Sequence, residues 1–156
     1  MPPAQQFASA RFVGPLPPGL PEHLAAAGIA ATVGGAASIF ITAGSAAIVT
    51  AREFAEAVPH SQDALVVTLL VGAPPDPAEA AQQWGFIRQA ALDWAPRRIR
   101  INAVVVGANP LLPHQPAPAA SHTNPPPIPI ADIAATIRLM WNLPSMTGQL
   151  IRLGPP

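Results

Sequence analysis

The feature that most constrains the fold is an unbroken apolar run, ALVVTLLV, at Ala64–Val71. A strand with one face in water alternates apolar and polar residues, whereas a run without alternation is typical of a parallel strand covered on both faces. Ile99–Val106 has a similar character and follows a long helical segment. The two runs together predict a parallel sheet with helices packed on each side.

Strand-like and helix-like segments alternate along the rest of the chain, and clusters of the 22 prolines separate them. Because proline disrupts central strands and helix interiors, the clusters mark loops. Further strands are predicted at residues 10–13, 29–33, 38–41 and 149–153. Helices are predicted at residues 20–27, 45–58, 76–94 and 132–141.

The helix predicted at 76–94 has the clearest start signal. Asp76 is a good N-cap, Pro77 suits the first helical position, and Glu79 completes a capping box. This explains the two carboxylates without a catalytic role. Trp84 and Trp94 lie among the apolar positions spaced at i, i+4 and i+7 along this helix.

Composition excludes several classes of function. The formal net charge is zero without a basic stripe, which argues against nucleic acid as a partner. No apolar window is long enough for a membrane span and no signal peptide is evident, so we expect a cytoplasmic protein. The chain has no cysteine, which excludes disulfides and thiolate metal sites, and it contains no tyrosine and no lysine. Only 10% of the residues are charged, which predicts apolar partner surfaces.

Residues 91–104 (ALDWAPRRIRINAV) resemble the "ALELAPRGIRVNAV" segment of the short-chain dehydrogenase/reductase family. Residues 131–134 (ADIA) resemble its "EDIA" motif, and residues 146–154 (MTGQLIRLG) resemble its "VTGQVLRVDGG" motif. The order and separation of these motifs agree with the family over roughly residues 63–154. The resemblance implies an α/β fold: a truncated, three-layer, Rossmann-like, doubly wound parallel sheet. We expect one domain over residues 1–156, with a flexible proline-rich loop at 110–129.

The upstream segment allows two alignments. In the first, residues 39–44 (IFITAG) resemble the family's fourth strand, which ends in "NNAG", and the material between the second and fourth strands is deleted. In the second, residues 42–49 (TAGSAAIV) resemble the glycine-rich "TGxxxGIG" turn after the first strand. We favour the first alignment, because it leaves the right distance to the next strand.

The resemblance also shows what the chain has lost. The family uses a tyrosine as general acid/base, a lysine that lowers the pKa of that tyrosine, and a serine on the preceding strand. The tyrosine position falls on Asp76, the lysine position on Ala80, and the serine position near Leu70 or Val71. None of these residues can take the expected role, so we assign no catalytic residue and no metal ligand.

The residues that the resemblance assigns to cofactor binding are the turn glycines and the ends of two strands. They are Gly14, Gly19, Thr42, Ala43, Gly44 and Gly107. Prolines between Gly14 and Gly19 remove N–H donors where a pyrophosphate would need them. We therefore expect no cofactor, and NAD or NADP if one binds.

Other candidates have ordinary explanations. His114 and His122, in the proline-rich loop, are expected to be solvated, and His23 and His60 to lie at helix positions on the surface. Arg97, Arg98 and Arg100 are interpreted as a solvated cluster divided between two faces. Trp84 and Trp94 are expected to serve a helix–helix contact, because in the family the helices after the fourth and fifth strands form the main dimer interface.

Two hypotheses of function follow. The first is a catalytically inactive family member that acts as an oligomeric binding or scaffold module, through the 76–94 helix and the C-terminal strand. Its partner is a second copy or a full-length homologue. The second is an NAD(P)-dependent oxidoreductase for a small carbonyl or alcohol, with unusual catalytic groups such as Asp76 or His114. A third hypothesis is a gene product that has lost its function but still folds.

Overall fold

The computed structural model describes residues 8–33, 37–44, 46–71, 77–106 and 128–154 of the 156-residue chain. These residues form six strands, four α-helices and one 3₁₀ turn, Ala95–Arg97. The strands are β1 (Ala8–Val13), β2 (Ile29–Ala31), β3 (Ile39–Ala43), β4 (Ala64–Val71), β5 (Ile99–Val106) and β6 (Leu150–Leu153). The helices are α1 (Leu20–Ala26), α2 (Ala47–Ala57), α3 (Pro77–Trp94) and α4 (Ile130–Asn142).

The six strands form one sheet in the order β2-β1-β3-β4-β5-β6, and every neighbouring pair is parallel. The order reverses between β1 and β3, as it does in a doubly wound sheet. The predicted fold class is therefore confirmed. The favoured alignment also agrees with this order, because residues 39–43 form an inner strand between β1 and β4 rather than the first strand.

Helices cover both faces of the sheet. On one face, α1 and α4 pack over a core that includes Leu24, Ile41, Leu65 and Ile137. On the other face, α2 and α3 pack over a second core that includes Phe40, Phe54, Val66, Ile87 and Ile101. Residues 64–69 of β4 are all buried because they contribute alternately to the two cores. This burial is the reason for the absence of polar alternation in that strand.

The connection from β2 to β3 is much shorter than a usual parallel crossover, which takes a dozen or more residues. Only residues 32–38 join the two strands, and the register makes this possible. β2 stands beside residues 8–10 of β1, and β3 stands beside residues 10–13. Because β3 starts at the level where β2 ends, a connection of this length is enough.

Most element boundaries differ from the predicted ones by one to three residues, and β4 and β5 agree with them. β2 ends two residues earlier than predicted, and α2 starts two residues later. His60 is exposed, as expected, but it lies in a turn after α2 and not in a helix. Asp76 and residues 110–127 of the predicted loop lie outside the described residues. Among the residues that the structure describes, no helix is long and apolar enough to cross a membrane.

Candidate functional site

Three of the six candidate cofactor residues, Gly14, Ala43 and Gly44, meet at the carboxyl ends of β1 and β3. In open α/β sheets, ligands bind at this edge where the strand order reverses. Gly14 follows β1 with a φ of 98°, and a Cβ placed on it would lie 2.1 Å from the Ala43 carbonyl oxygen. Gly44 follows β3 with a φ of 84°, and its Cβ would lie 3.1 Å from Cδ of Pro15. Both positions require glycine, because the two turns lie directly against each other.

The carboxyl ends of β1 and β3 border an open crevice, the β1–β3 crevice. Thr42 lies in the interior of the protein and not in this crevice. Its side chain is fully buried, and its hydroxyl shares a 3.0 Å hydrogen bond with the hydroxyl of Thr50 on α2. The Thr50 hydroxyl also donates to the Ala46 carbonyl oxygen, at 3.0 Å. Thr42 therefore joins β3 to the first turn of α2.

The turn between β1 and α1 offers few donors to a phosphate. Pro15, Pro17 and Pro18 have no N–H, and the N–H of Leu20 donates to the Pro17 carbonyl oxygen at 3.2 Å. Gly19 is the N-cap of α1, with a φ of 83° and open space around it. However, α1 is only seven residues long, and Pro21 removes another donor from its first turn. A pyrophosphate would find little of the usual N–H cradle here.

The end of β2 is a part of the site that the sequence analysis missed. A dinucleotide-binding sheet of this kind places an acidic residue for the ribose, or an arginine for its 2′-phosphate, near the end of its second strand. Here β2 ends beside Ala10, three residues before β1 ends at Val13, a distance of roughly 10 Å along the strand. In addition, residues 24–51 contain no charged side chain. Neither determinant of the ribose subsite is present in this segment.

The positions that correspond to the family's proton-transfer residues carry apolar side chains where the structure describes them. Leu70 is half-buried and Val71 is exposed at the end of β4, and neither has a hydroxyl. Gly107, Asp76, His114 and His122 lie outside the described residues, as does the side chain of Ala80. Among the described residues, no group of three or more histidine and acidic side chains could hold a metal ion.

The arginines of the 97–100 segment were predicted to form a solvated cluster, and this is wrong for two of the three. Arg97 donates to the Val58 carbonyl oxygen at 3.1 Å, at the end of α2. Only Arg98 is a surface residue, in an exposed ion pair with Asp63 at 2.7 Å.

Arg100 caps the C-terminus of α4 on the opposite face of the sheet. Its guanidinium donates to the carbonyl oxygens of Met140, Trp141 and Leu143. Burial lowers the pKa of Arg100, and the Asp63 carboxylate opposes this change. An arginine remains charged at neutral pH in either case, so it complements the negative end of the helix dipole.

The residues that carry the sequence resemblance form a clamp between β5 and β6. Asn102 is fully buried, its amide nitrogen donates to the Met146 carbonyl oxygen, and its amide oxygen accepts from the Gln149 N–H, each at 3.0 Å. The Thr147 hydroxyl accepts from the Ile101 N–H at 3.2 Å, and the Gly148 N–H donates to the Ile101 carbonyl oxygen at 2.7 Å. These residues therefore hold the last strand in place.

A groove of about 540 Å³ lies between α2 and α3, and its lining extends to Arg97, just before β5 begins. Phe86 and Trp94 meet edge to face at 5.8 Å along it, and the Arg52 guanidinium lies 5.2 Å from the centre of the Phe86 ring. Glu56 and Asp93 add negative charge to its lining. Sequence patterns do not predict this groove, because it depends on how two helices pack side by side.

No family model matches the chain, and neither does any curated protein sequence. Solved structures do match. The 3-alpha-hydroxysteroid dehydrogenase of Pseudomonas sp. B-0831, solved with NADH, has 16% identity and a TM-score of 0.59, with 94% of each chain covered. The enoyl-[acyl-carrier-protein] reductase (NADH) of Aquifex aeolicus VF5 has 16% identity and a TM-score of 0.50, covering 75% of this chain and 64% of that one.

FolM alternative dihydrofolate reductase 1 from Brucella canis, solved with NADP, has 26% identity and a TM-score of 0.45. This match covers 69% of this chain, which spans only 47% of that protein. At 16% identity, the matches to the Pseudomonas and Aquifex structures show the fold alone. By its fold, the chain is thus like the short-chain dehydrogenases/reductases, in agreement with the resemblance seen in its sequence.

Proposed function

We propose that this protein is a catalytically inactive relative of the short-chain dehydrogenases/reductases and acts as an oligomeric binding or scaffold module in the cytoplasm. The observation that carries this proposal is the β1–β3 crevice. Its turn is rich in proline, its second strand stops short, and the serine position on β4 is apolar. Without tyrosine or lysine, the chain also has no phenol and ammonium for proton transfer.

A turnover assay tests the inactivity. The purified full chain is incubated with NADH or NADPH and a panel of aldehydes, ketones and enoyl thioesters, and the absorbance of the reduced nicotinamide is followed. We expect no oxidation above the buffer rate. Steady oxidation that increases in proportion to the protein concentration with any substrate would contradict the proposal.

The partner that we propose is a second copy or a full-length homologue, bound through α3 and the C-terminal strand β6. Two features support this surface. The outward side of α3 carries exposed Ala81 and Gly85 and Leu92 at 73% exposure, with Arg88 as the charged residue between them. The side chains of β6, rather than its backbone edge, form the rest of this surface, and all four are half-buried. Leu92 is the exposed apolar side chain here, and exposed apolar side chains mark partner surfaces in soluble proteins.

A pair of matched variants tests this surface. Leu92→Glu places a charge on the outward side of α3, and Leu139→Glu makes the same change on α4, where Leu139 is 51% exposed. We expect Leu92→Glu to raise the dissociation constant of the oligomer at least tenfold. Leu139→Glu should have a much smaller effect. Equal effects in sedimentation velocity, or a monomeric parent protein, would contradict the assignment.

A second candidate function is an NAD(P)-dependent oxidoreductase with unusual catalytic groups. It is favoured by the match to the Pseudomonas dehydrogenase, which was solved with NADH and is covered over 94% of its chain. Its candidate groups are Asp76 and His114. Under this alternative, Asp76→Asn or His114→Gln abolishes whatever turnover the parent protein has, whereas His122→Gln leaves it unchanged.

A further inference from the structure

The two edges of the sheet are protected very differently. Exposed edge strands invite pairing with another chain, and proteins guard them with charged residues and prolines. The edge strand β6 contains Arg152, and Pro155 and Pro156 follow it closely in the sequence. The edge strand β2 lies in residues 24–51, which contain neither a charged residue nor a proline. The β2 edge therefore lacks charge and proline, and only the short length of its three-residue strand limits pairing.

The backbone of β2 presents hydrogen-bonding groups away from the sheet. The Thr32 N–H donates to the Ala10 carbonyl oxygen at 2.8 Å, and Ala10 is the register partner of Ala31. In a parallel pair this pattern turns the backbone groups of Ala30 and Thr32 toward β1. The N–H and C=O of Ala31 then point outward. No strand among the described residues pairs with that side.

The side chains of β2 leave room for another strand. Ile29 is buried in the core and holds the strand in place. Ala30 and Ala31 are exposed but small, and the Val33 side chain beyond them is wholly exposed. A second backbone can therefore approach to the usual spacing of about 4.8 Å between paired strands.

We infer that β2 pairs with β2 of a second copy, antiparallel, about a twofold axis at Ala31. A twofold axis brings one surface against the same surface of the other copy, so any charge on this edge would meet its like. Residues 24–51 carry none. The two Ala31 residues exchange two N–H to C=O hydrogen bonds, and two six-stranded sheets become one.

This contact goes beyond the surface proposed above, because β2 and β6 are opposite edges of the sheet. β2 has only three residues, so the pairing adds few hydrogen bonds and depends on protein concentration. With a separate interface at α3 and β6, it would join dimers into larger, even-numbered assemblies.

Amide hydrogen exchange of the full chain tests the pairing residue by residue, between protein concentrations of about 10 μM and about 1 mM. We expect the Ala31 amide to exchange at least tenfold more slowly at the highest concentration. The Thr32 amide is already bonded to Ala10, and its protection should stay constant. An Ala31 exchange rate that is the same at every concentration would overturn the inference, even if the protein associates elsewhere.

Two substitutions at one position provide the control. Ala31→Pro removes only an outward donor, which an edge strand tolerates, whereas Ala31→Val keeps the donor. We expect Ala31→Val to associate like the parent protein and Ala31→Pro to lose this contact, both with a protected Thr32 amide. Equal association of the two variants would refute the pairing. The pairing would also be refuted if the Ala31 amide became protected from exchange only when a foreign peptide, such as an alternating Val-Thr hexamer, is added.

Discussion

The β1–β3 crevice and the clamp between β5 and β6, here called the β5–β6 junction, differ in which backbone groups their side chains and turns satisfy or leave available. At the junction, Asn102 satisfies two backbone groups from full burial, and Gly148 lets the loop lie close to α3. At the crevice, Gly14 and Gly44 allow two turns to touch, but few backbone donors remain for a ligand. One region therefore keeps the interactions that hold the fold together. The other keeps the close packing of a binding turn without its donors.

The largest expected effect is at the crevice. Gly14→Ala adds a methyl group 2.1 Å from the Ala43 carbonyl oxygen at a positive φ, so overpacking and backbone strain combine. We expect a loss of about 4 kcal/mol in the free energy of unfolding, measured by urea denaturation. Gly19→Ala is the control, because its φ is also positive but nothing lies within 4 Å. It should cost only about 1 kcal/mol. Equal losses would show that the two turns do not pack as described.

The next effect tests the junction. Asn102→Ala leaves the Gln149 N–H and the Met146 carbonyl oxygen without their partner, at a cost of about 3 kcal/mol in the free energy of unfolding. Gln149→Ala removes only an exposed side-chain hydrogen bond to Thr147 and should change stability by less than about 0.5 kcal/mol. If Asn102→Ala were as mild as its control, the clamp would not be what holds β6.

A smaller effect separates two neighbouring arginines. Arg100→Met removes the donor to three carbonyl oxygens at the end of α4 and should cost about 1–2 kcal/mol. Arg98→Met removes an exposed ion pair with Asp63 and should cost no more than about 0.5 kcal/mol. Thermal unfolding at neutral pH measures both. The opposite ranking would contradict the assignment of Arg100 as a helix cap.

The sequence predicted the sheet well because β4 is almost wholly apolar, as a strand covered on both faces is, and β5 departs from this pattern only at Arg100 and Asn102. Through the family resemblance it also led us to expect that material is missing between β2 and β3, where the connection is only residues 32–38. It did not predict where β2 stops, because Thr32 and Val33 both favour strands and the pairing register with β1 decides instead. The roles of Arg97 and Arg100 were also missed, because their carbonyl acceptors come from helices about forty residues away in the chain. Hydrogen bonds of this kind leave no trace in local sequence patterns.

The central claim, which belongs to the proposed function, is that the β1–β3 crevice does not bind a dinucleotide. Thermal unfolding of the full chain with and without about 1 mM NADH or NADPH tests it most directly, with the Pseudomonas dehydrogenase and NADH as the positive control. We expect the melting temperature to stay unchanged with either cofactor. A ligand at a hundred times its dissociation constant stabilises a protein by about 2.7 kcal/mol. A saturable rise of that size would contradict the claim.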